Sequence, residues 1–248
     1  MKTKILCKIL GGSQLYHLST PESDVDIRGV FTHTDPAYIL GTRRFDETRR
    51  QNLDEDTVVK ELSHYCNLLS KSNTEALELL FCNISEFTEI TPEFRLLRDY
   101  RFKFIDSKKL FGCLRGYMQG ERRLMNGAKP GEIGGKRYKK LQEVGYSPKN
   151  AVQLMRLANV GRHFFETGEF VVNTEEFGIG IHSLLLEIKT EPERFSKSMI
   201  NEFVDRYETA LVEEFESRRE SFAFDEDTLN EVLMAIYMPI LKNYKNKS

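Results

Sequence analysis

Two short groups of residues carry side chains suited to phosphate and metal chemistry: Gly11-Gly12-Ser13 and, after ten intervening residues, Asp24-Val25-Asp26. Glycines let a backbone turn tightly and come close to an anion. Ser13 can offer its hydroxyl and its backbone N–H near the start of a helix, where the helix dipole favours negative charge. Two aspartates one residue apart on a strand point to the same face. Carboxylates paired in this way suit Mg²⁺, a hard cation that takes oxygen ligands and keeps phosphate oxygens and waters around it. Two such ions would activate an attacking hydroxyl and stabilise a leaving pyrophosphate. Neither group is specific alone, since an isolated Asp-x-Asp is common on solvated strands and an isolated Gly-Gly-Ser is usually a turn. The order strand, Gly-Ser, helix, turn, Asp-x-Asp gives the pair its meaning.

The surrounding elements must hold these groups. The apolar run Ile5, Leu6, Cys7, Ile9, Leu10 predicts a strand over 3–10, ended by the glycines. Residues 13–18 can begin a short helix with Ser13 at or near its N-cap. Thr20-Pro21-Glu22-Ser23 is turn chemistry. Over 24–32 the alternation of Asp24, Asp26 and Arg28 with Val25 and Ile27 predicts a second strand. Residues 33–54 form a long charged connection, and 56–62 is a third strand candidate. Helical spacing then takes over at 62–80, interrupted at Asn73, and recurs at 108–125, 148–166, 177–189, 196–220 and 225–242. Ser147, Pro148 and Gly168 fit the N-cap, first-turn and C-terminal positions of the 148–166 helix. The change in pattern near residue 100 predicts an α/β domain over 1–100 and a helical domain over 101–248, an α+β fold as a whole, with an active site at their junction.

Composition narrows the class. A chain of 248 residues, 40% hydrophobic and 30% charged, can bury a core without covalent staples. Its formal net charge of −2 gives no global signal for nucleic acid. Basic residues are instead local. Lys136-Arg137-Tyr138-Lys139-Lys140 follows a glycine-rich stretch over 127–135, and Lys149 and Arg156 lie seven apart on one helical face. Such cations can bind triphosphate or an RNA backbone, or form a solvated face. Arg28 can contact phosphate or pair with Asp24 or Asp26. Cys7, Cys66, Cys82 and Cys113 form no C-x-x-C pair and sit in apolar stretches, as reduced, buried thiols do. No run approaches the ~18 apolar residues of a membrane helix, so the default expectation is a cytosolic protein with no membrane partner.

The pattern Leu10-Gly11-Gly12-Ser13 … Asp24-Val25-Asp26-Ile27 resembles the nucleotidyltransferase superfamily typified by DNA polymerase β. The string GGSQLYHLSTPESDVDIRGVF resembles a narrower branch found in bacteria and large phages, the RNA-repair-associated polymerase-β-like family. SNTEALELLF, containing Glu78, and GYSPKNAVQLMRL, containing Lys149 and Arg156, resemble later segments of that branch. His17 is a departure, because the branch usually has a small residue there, often glycine.

The resemblance implies a small mixed sheet with flanking helices, followed by helices. It implies Mg²⁺-dependent transfer of a nucleoside monophosphate from an NTP such as ATP to an acceptor hydroxyl, on RNA in the leading reading. A protein or small-molecule acceptor, or a silent nucleotide- or RNA-binding homologue, are the alternatives. In these terms Asp24, Asp26 and a third carboxylate would be the catalytic metal ligands. Asp56 is the preferred third residue and Glu61 the alternative. Gly12, Ser13, Arg28, Lys149 and Arg156 would bind the nucleotide.

Overall fold

The computed structural model describes residues 3–43, 57–127, 129, 131–218 and 221–245. The first apolar run forms β1 (Thr3–Leu10), and Gly11 leads into a single helical turn, α1 (Gly12–Leu15). Then follow β2 (Ile27–His33), α2 (Pro36–Ile39), β3 (Thr57–Glu61), α3 (Leu62–Leu69), α4 (Thr74–Phe81), β4 (Phe87–Ile90) and α5 (Pro92–Asp99). The strands make a mixed four-stranded sheet in the order β3-β2-β1-β4. β1 runs antiparallel to both β2 and β4, while β2 and β3 are parallel. Leu6, Cys7, Ile9 and Val30 are buried with Leu62, Tyr65, Leu69, Leu77 and Leu80 from α3 and α4. This is the α+β class expected from the sequence.

The helical segment expected over 62–80 divides at Asn73, whose side chain caps α4 by accepting the Ala76 N–H at 3.2 Å. Ser72 just before it takes a positive φ of 48°, which turns the chain between the two helices.

The remaining helices are α6 (Ser107–Gly127), α7 (Gly135–Val144), α8 (Pro148–Thr167), α9 (Ile179–Thr190), α10 (Lys197–Ser217) and α11 (Glu226–Lys245). The chain forms two compact units, 1–106 with 222–248, and 107–221. A single division near residue 100 therefore differs from the observed grouping at the C-terminal end, because α11 returns to the first unit. The reason is an apolar stripe: Leu229, Val232 and Ile236 of α11 are buried. Asp225 caps that helix by accepting the Thr228 N–H at 2.9 Å, and its own N–H reaches the Lys103 carbonyl at 2.8 Å.

In the second unit, α8 is the central helix, buried along most of its length by α6 and α10. Gly161 lets the three approach: a Cβ there would lie 2.5 Å from Leu211 Cδ1 and 2.7 Å from Leu114 Cδ1. Cys7, Cys66 and Cys82 are buried free thiols as expected, and Cys113 is half-buried. Among the described residues no helix is long and apolar enough to cross a membrane.

Gly29 sits in the middle of the sheet, on β2 between β1 and β3, and a Cβ on it would overlap the Cys7 carbonyl oxygen. Backbone on a neighbouring strand cannot rotate away as a side chain can. Gly29→Ala is expected to destabilise the protein by about 1–3 kcal/mol in chemical denaturation, as overpacking does. Unchanged stability would show that the two strands can separate locally at no cost.

Candidate active site

β1 and β2 bring the two motif groups together. Their ladder runs to the Leu10–Ile27 pair, and one further bond extends it, from the Gly11 N–H to the Asp26 carbonyl at 2.7 Å. The chain then parts at Gly12, which has φ +57°. Asp26 Oδ2 lies so close to Gly12 that a Cβ there would overlap it, and the conformation itself favours glycine. The turn and the carboxylate thus share one small space, and the absence of a side chain at residue 12 creates it.

Two expectations are corrected. The ordered strand begins at Ile27, not at residue 24, so Asp24 and Asp26 lie just before it. Asp26 is held by the Gly11–Asp26 bond and not by strand pairing of its own. Val25 between them is 56% exposed, as expected of a segment with no sheet partner on either side. Ser13 is the second residue of α1, and Gly11 occupies the N-cap without a side-chain cap. The Ser13 carbonyl accepts the Leu18 N–H at 2.9 Å, which closes the turn behind the helix.

His17 follows α1 with φ +56°, a left-handed position that glycine takes without penalty. Its imidazole Nε2 lies 3.3 Å from Glu86 Oε1. The ring therefore leaves the turn toward the segment ahead of β4.

Arg28, expected either at phosphate or paired with Asp24 or Asp26, reaches a different acid. Its Nη1 lies 3.5 Å from Glu78 Oε2, and the same oxygen accepts the Tyr16 hydroxyl at 2.7 Å. Glu78 is 1% exposed and comes from the middle of α4. The Arg28 stem runs under the turn, where a Cβ on Gly11 would meet its Cγ at 2.8 Å. Burial opposes the Arg28 charge, but the oxygens of Tyr16, Glu78 and Glu75 outweigh it and hold the guanidinium firmly protonated. Glu78 was visible in the sequence as the acid within Ala76-Leu77-Glu78-Leu79-Leu80, although the side chains it binds were not.

The candidates for a third carboxylate separate. Asp56 lies outside the described residues. Glu61 registers with Phe31, four steps along β3 from the Thr57–Ile27 pair, which is about 13 Å from the strand start at ~3.3 Å per residue. It caps α3, accepting the Ser63 N–H at 2.7 Å and the His64 N–H at 3.2 Å. Glu61 is therefore a helix cap at the far end of the strand from Asp26.

Lys149 and Arg156 both lie on α8, in the second unit. Lys149 is exposed on the first turn. Burial first, and the Lys149 charge second, hold Lys189 of α9 below its ordinary pKa. Arg156, two turns on, is 1% exposed, with its Nε donating to Gln153 Oε1 at 3.2 Å. Spacing placed the two on one face, yet only Lys149 is exposed to solvent. Lys136, Arg137, Lys139 and Lys140 lie on α7.

Among the described residues no group of three or more His, Cys, Asp or Glu side chains is placed to hold a metal ion. What the site presents is the Asp26 carboxylate against a glycine turn whose missing Cβ leaves room for it, with Asp24 exposed two residues earlier. Hard oxygen donors beside open backbone suit Mg²⁺ with phosphate oxygens completing its shell.

A mixed sheet with a Gly-Ser turn leaving its first strand and an Asp-x-Asp entering the next is the arrangement of a polymerase-β-like nucleotidyltransferase core. More narrowly, this chain belongs to the RNA repair pathway DNA polymerase beta family, whose model matches residues 1–235. A search among curated proteins finds no match.

The buried Glu78 can be tested directly. Glu78→Ala leaves the Arg28 charge and the Tyr16 hydroxyl without that acceptor. The expected loss is about 3 kcal/mol in urea denaturation, the low end for a broken buried pair, because the Arg28 side chain keeps 22% exposure. Glu78→Gln retains an acceptor and is expected to lose less. Equal stability of all three proteins would show that Glu78 does not hold this region together.

Proposed function

We propose that this protein transfers a nucleoside monophosphate from an NTP to an acceptor hydroxyl on RNA. The acceptor oxygen bonds to the α-phosphorus, the bond to the bridging oxygen breaks, and pyrophosphate leaves. A carboxylate takes the acceptor proton. The observation that supports this reading best is the contact of Gly12 with Asp26 at the end of the β1–β2 ladder, which sets a glycine turn beside a carboxylate.

In this reading Asp24 and Asp26 hold Mg²⁺, two ions in the full site, with Asp56 as the third carboxylate and base. The bound metal supplies charge to stabilise the displaced oxygens and to acidify the acceptor hydroxyl. Gly12 and Ser13 present backbone N–H groups, and Ser13 its hydroxyl, to the β- and γ-phosphates. Arg28 steadies the turn from beneath, through Glu78. Lys149 adds a cation for phosphate. The family's place in RNA repair favours RNA over a protein or small molecule as the acceptor.

The test is incubation with labelled NTPs and, separately, tRNA, total RNA and cell lysate, following label transfer and pyrophosphate release. RNA is expected to gain label in Mg²⁺ and not after chelation. Asp26→Ala is expected to lower pyrophosphate release by at least ~100-fold, since a metal supplies several kcal/mol of stabilisation. A wild-type protein that binds no Mg²⁺–NTP, or whose turnover survives Asp26→Ala, would overturn the assignment.

A further inference from the structure

The second unit carries a charged surface that the proposed chemistry does not use. Helix α7 reads Gly-Lys-Arg-Tyr-Lys-Lys-Leu-Gln-Glu-Val, four cations and one acid, a net +3 in a chain whose total is −2. At ~100° per residue, Lys136, Arg137, Lys139 and Lys140 spread over an arc of about 160°. Leu141 falls about 40° beyond Arg137, just outside that arc, and is 7% exposed, packed with Ile133 against Leu124 and Tyr138. This small apolar cluster fastens the helix and fixes which way its cations face. Lys136, Arg137 and Lys139 are exposed, and the Lys140 side chain is 42% exposed.

Local acids do little to cancel the charge. Glu143 stands 4.0 Å from Lys139 and 3.6 Å from Lys140, pairs in which each side chain keeps more than 40% of its exposure. Ion pairs so wet contribute about 0–1 kcal/mol. Glu132, on the approach to the helix, is already used: it pairs with Arg123 at 2.6 Å and accepts the Lys129 N–H at 2.7 Å.

The shape chooses among anions. Cations on the outer side of a helix diverge, so they cannot converge on one triphosphate, but they can touch successive phosphates of an extended backbone. Leu141 and Tyr138 of α7 pack into that cluster, so the basic face gains no large apolar centre from them of the kind protein interfaces use. We propose that the basic face of α7 is an RNA-binding surface that contacts the phosphate backbone without reading sequence. The inference rests on the reading of RNA as acceptor and gives it a docking surface.

The experiment uses the full chain and a fluorescent 20-nucleotide single-stranded RNA of mixed sequence, with anisotropy measured from low to moderate salt. The comparison is K136A/R137A/K139A/K140A, whose alanines favour the helix. Wild-type affinity should fall steeply with salt. The variant should bind at least ~10-fold more weakly at low salt, with a slope of log K against log salt smaller by about 2–3, at ~0.7 per lost phosphate contact. Its Mg²⁺–NTP affinity without RNA should be unchanged. A wild type that does not bind the RNA, a variant with unchanged affinity and slope, or a wild type that binds poly-glutamate as tightly as RNA would overturn the proposal. RNA binding that depends on α7, with no nucleotide transfer, would remove the catalytic reading and leave the surface standing. Transfer to RNA with binding indifferent to α7 would do the reverse.

Discussion

A carboxylate at 1% exposure has to be compensated, because losing water around the charge costs several kcal/mol. Glu78 is compensated by two groups from different elements: the Tyr16 hydroxyl at the end of α1 and the Arg28 guanidinium on β2. This buried acid on α4 therefore ties the turn after β1 to the strand that follows the aspartates. Because Arg28 lies under Gly11 and Asp26 lies against Gly12, both glycines are constrained by neighbours that this network holds. Neither position has room for a Cβ. A site of small parts (a four-residue helix and a pair of aspartates ahead of β2) is backed by a buried charge pair that fixes its neighbours, as preorganised sites require.

Readable features in this chain are local ones. The Gly-Ser and Asp-x-Asp groups, the caps around Asn73 and Pro148, and the long amphipathic helices all follow from residues within a turn or two of each other. The misplaced start of β2 has the same origin. Alternation continues back through Val25, but a strand needs a neighbour, and β1 has already turned at Gly11. Period alone cannot show where a partner ends.

Features set by distant contacts stayed hidden. β4 has four residues, is partly exposed, and exists because β1 offers it an edge some eighty positions earlier. Sequence proximity offers Arg28 two acids, Asp24 and Asp26, and it takes Glu78, fifty residues away. Glu61 stands where a strand meets a helix, and two nearby N–H groups claim it before any ligand can. Arg156 shares a helical face with Lys149, yet helical spacing carries no information about what covers that face. His17 departs from the usual small residue at a position whose left-handed backbone explains why a small residue suits it.

The return of α11 to the first unit bears on how the chain is made. The sheet and its helices are complete by Asp106, but Leu229, Val232 and Ile236 are part of the same core. On a ribosome the 107–221 segment, 115 residues by difference of its bounds, is synthesised between those two halves. At ~5–20 residues per second this is a wait of roughly 6–23 s. During that interval the nascent first unit holds an uncovered apolar surface, while the inserted unit has all of its own helices and can fold first. The first unit to begin synthesis is thus the last to be finished, and a chain released before residue 236 would carry the whole Gly-Ser and Asp-x-Asp motif on an unsealed core.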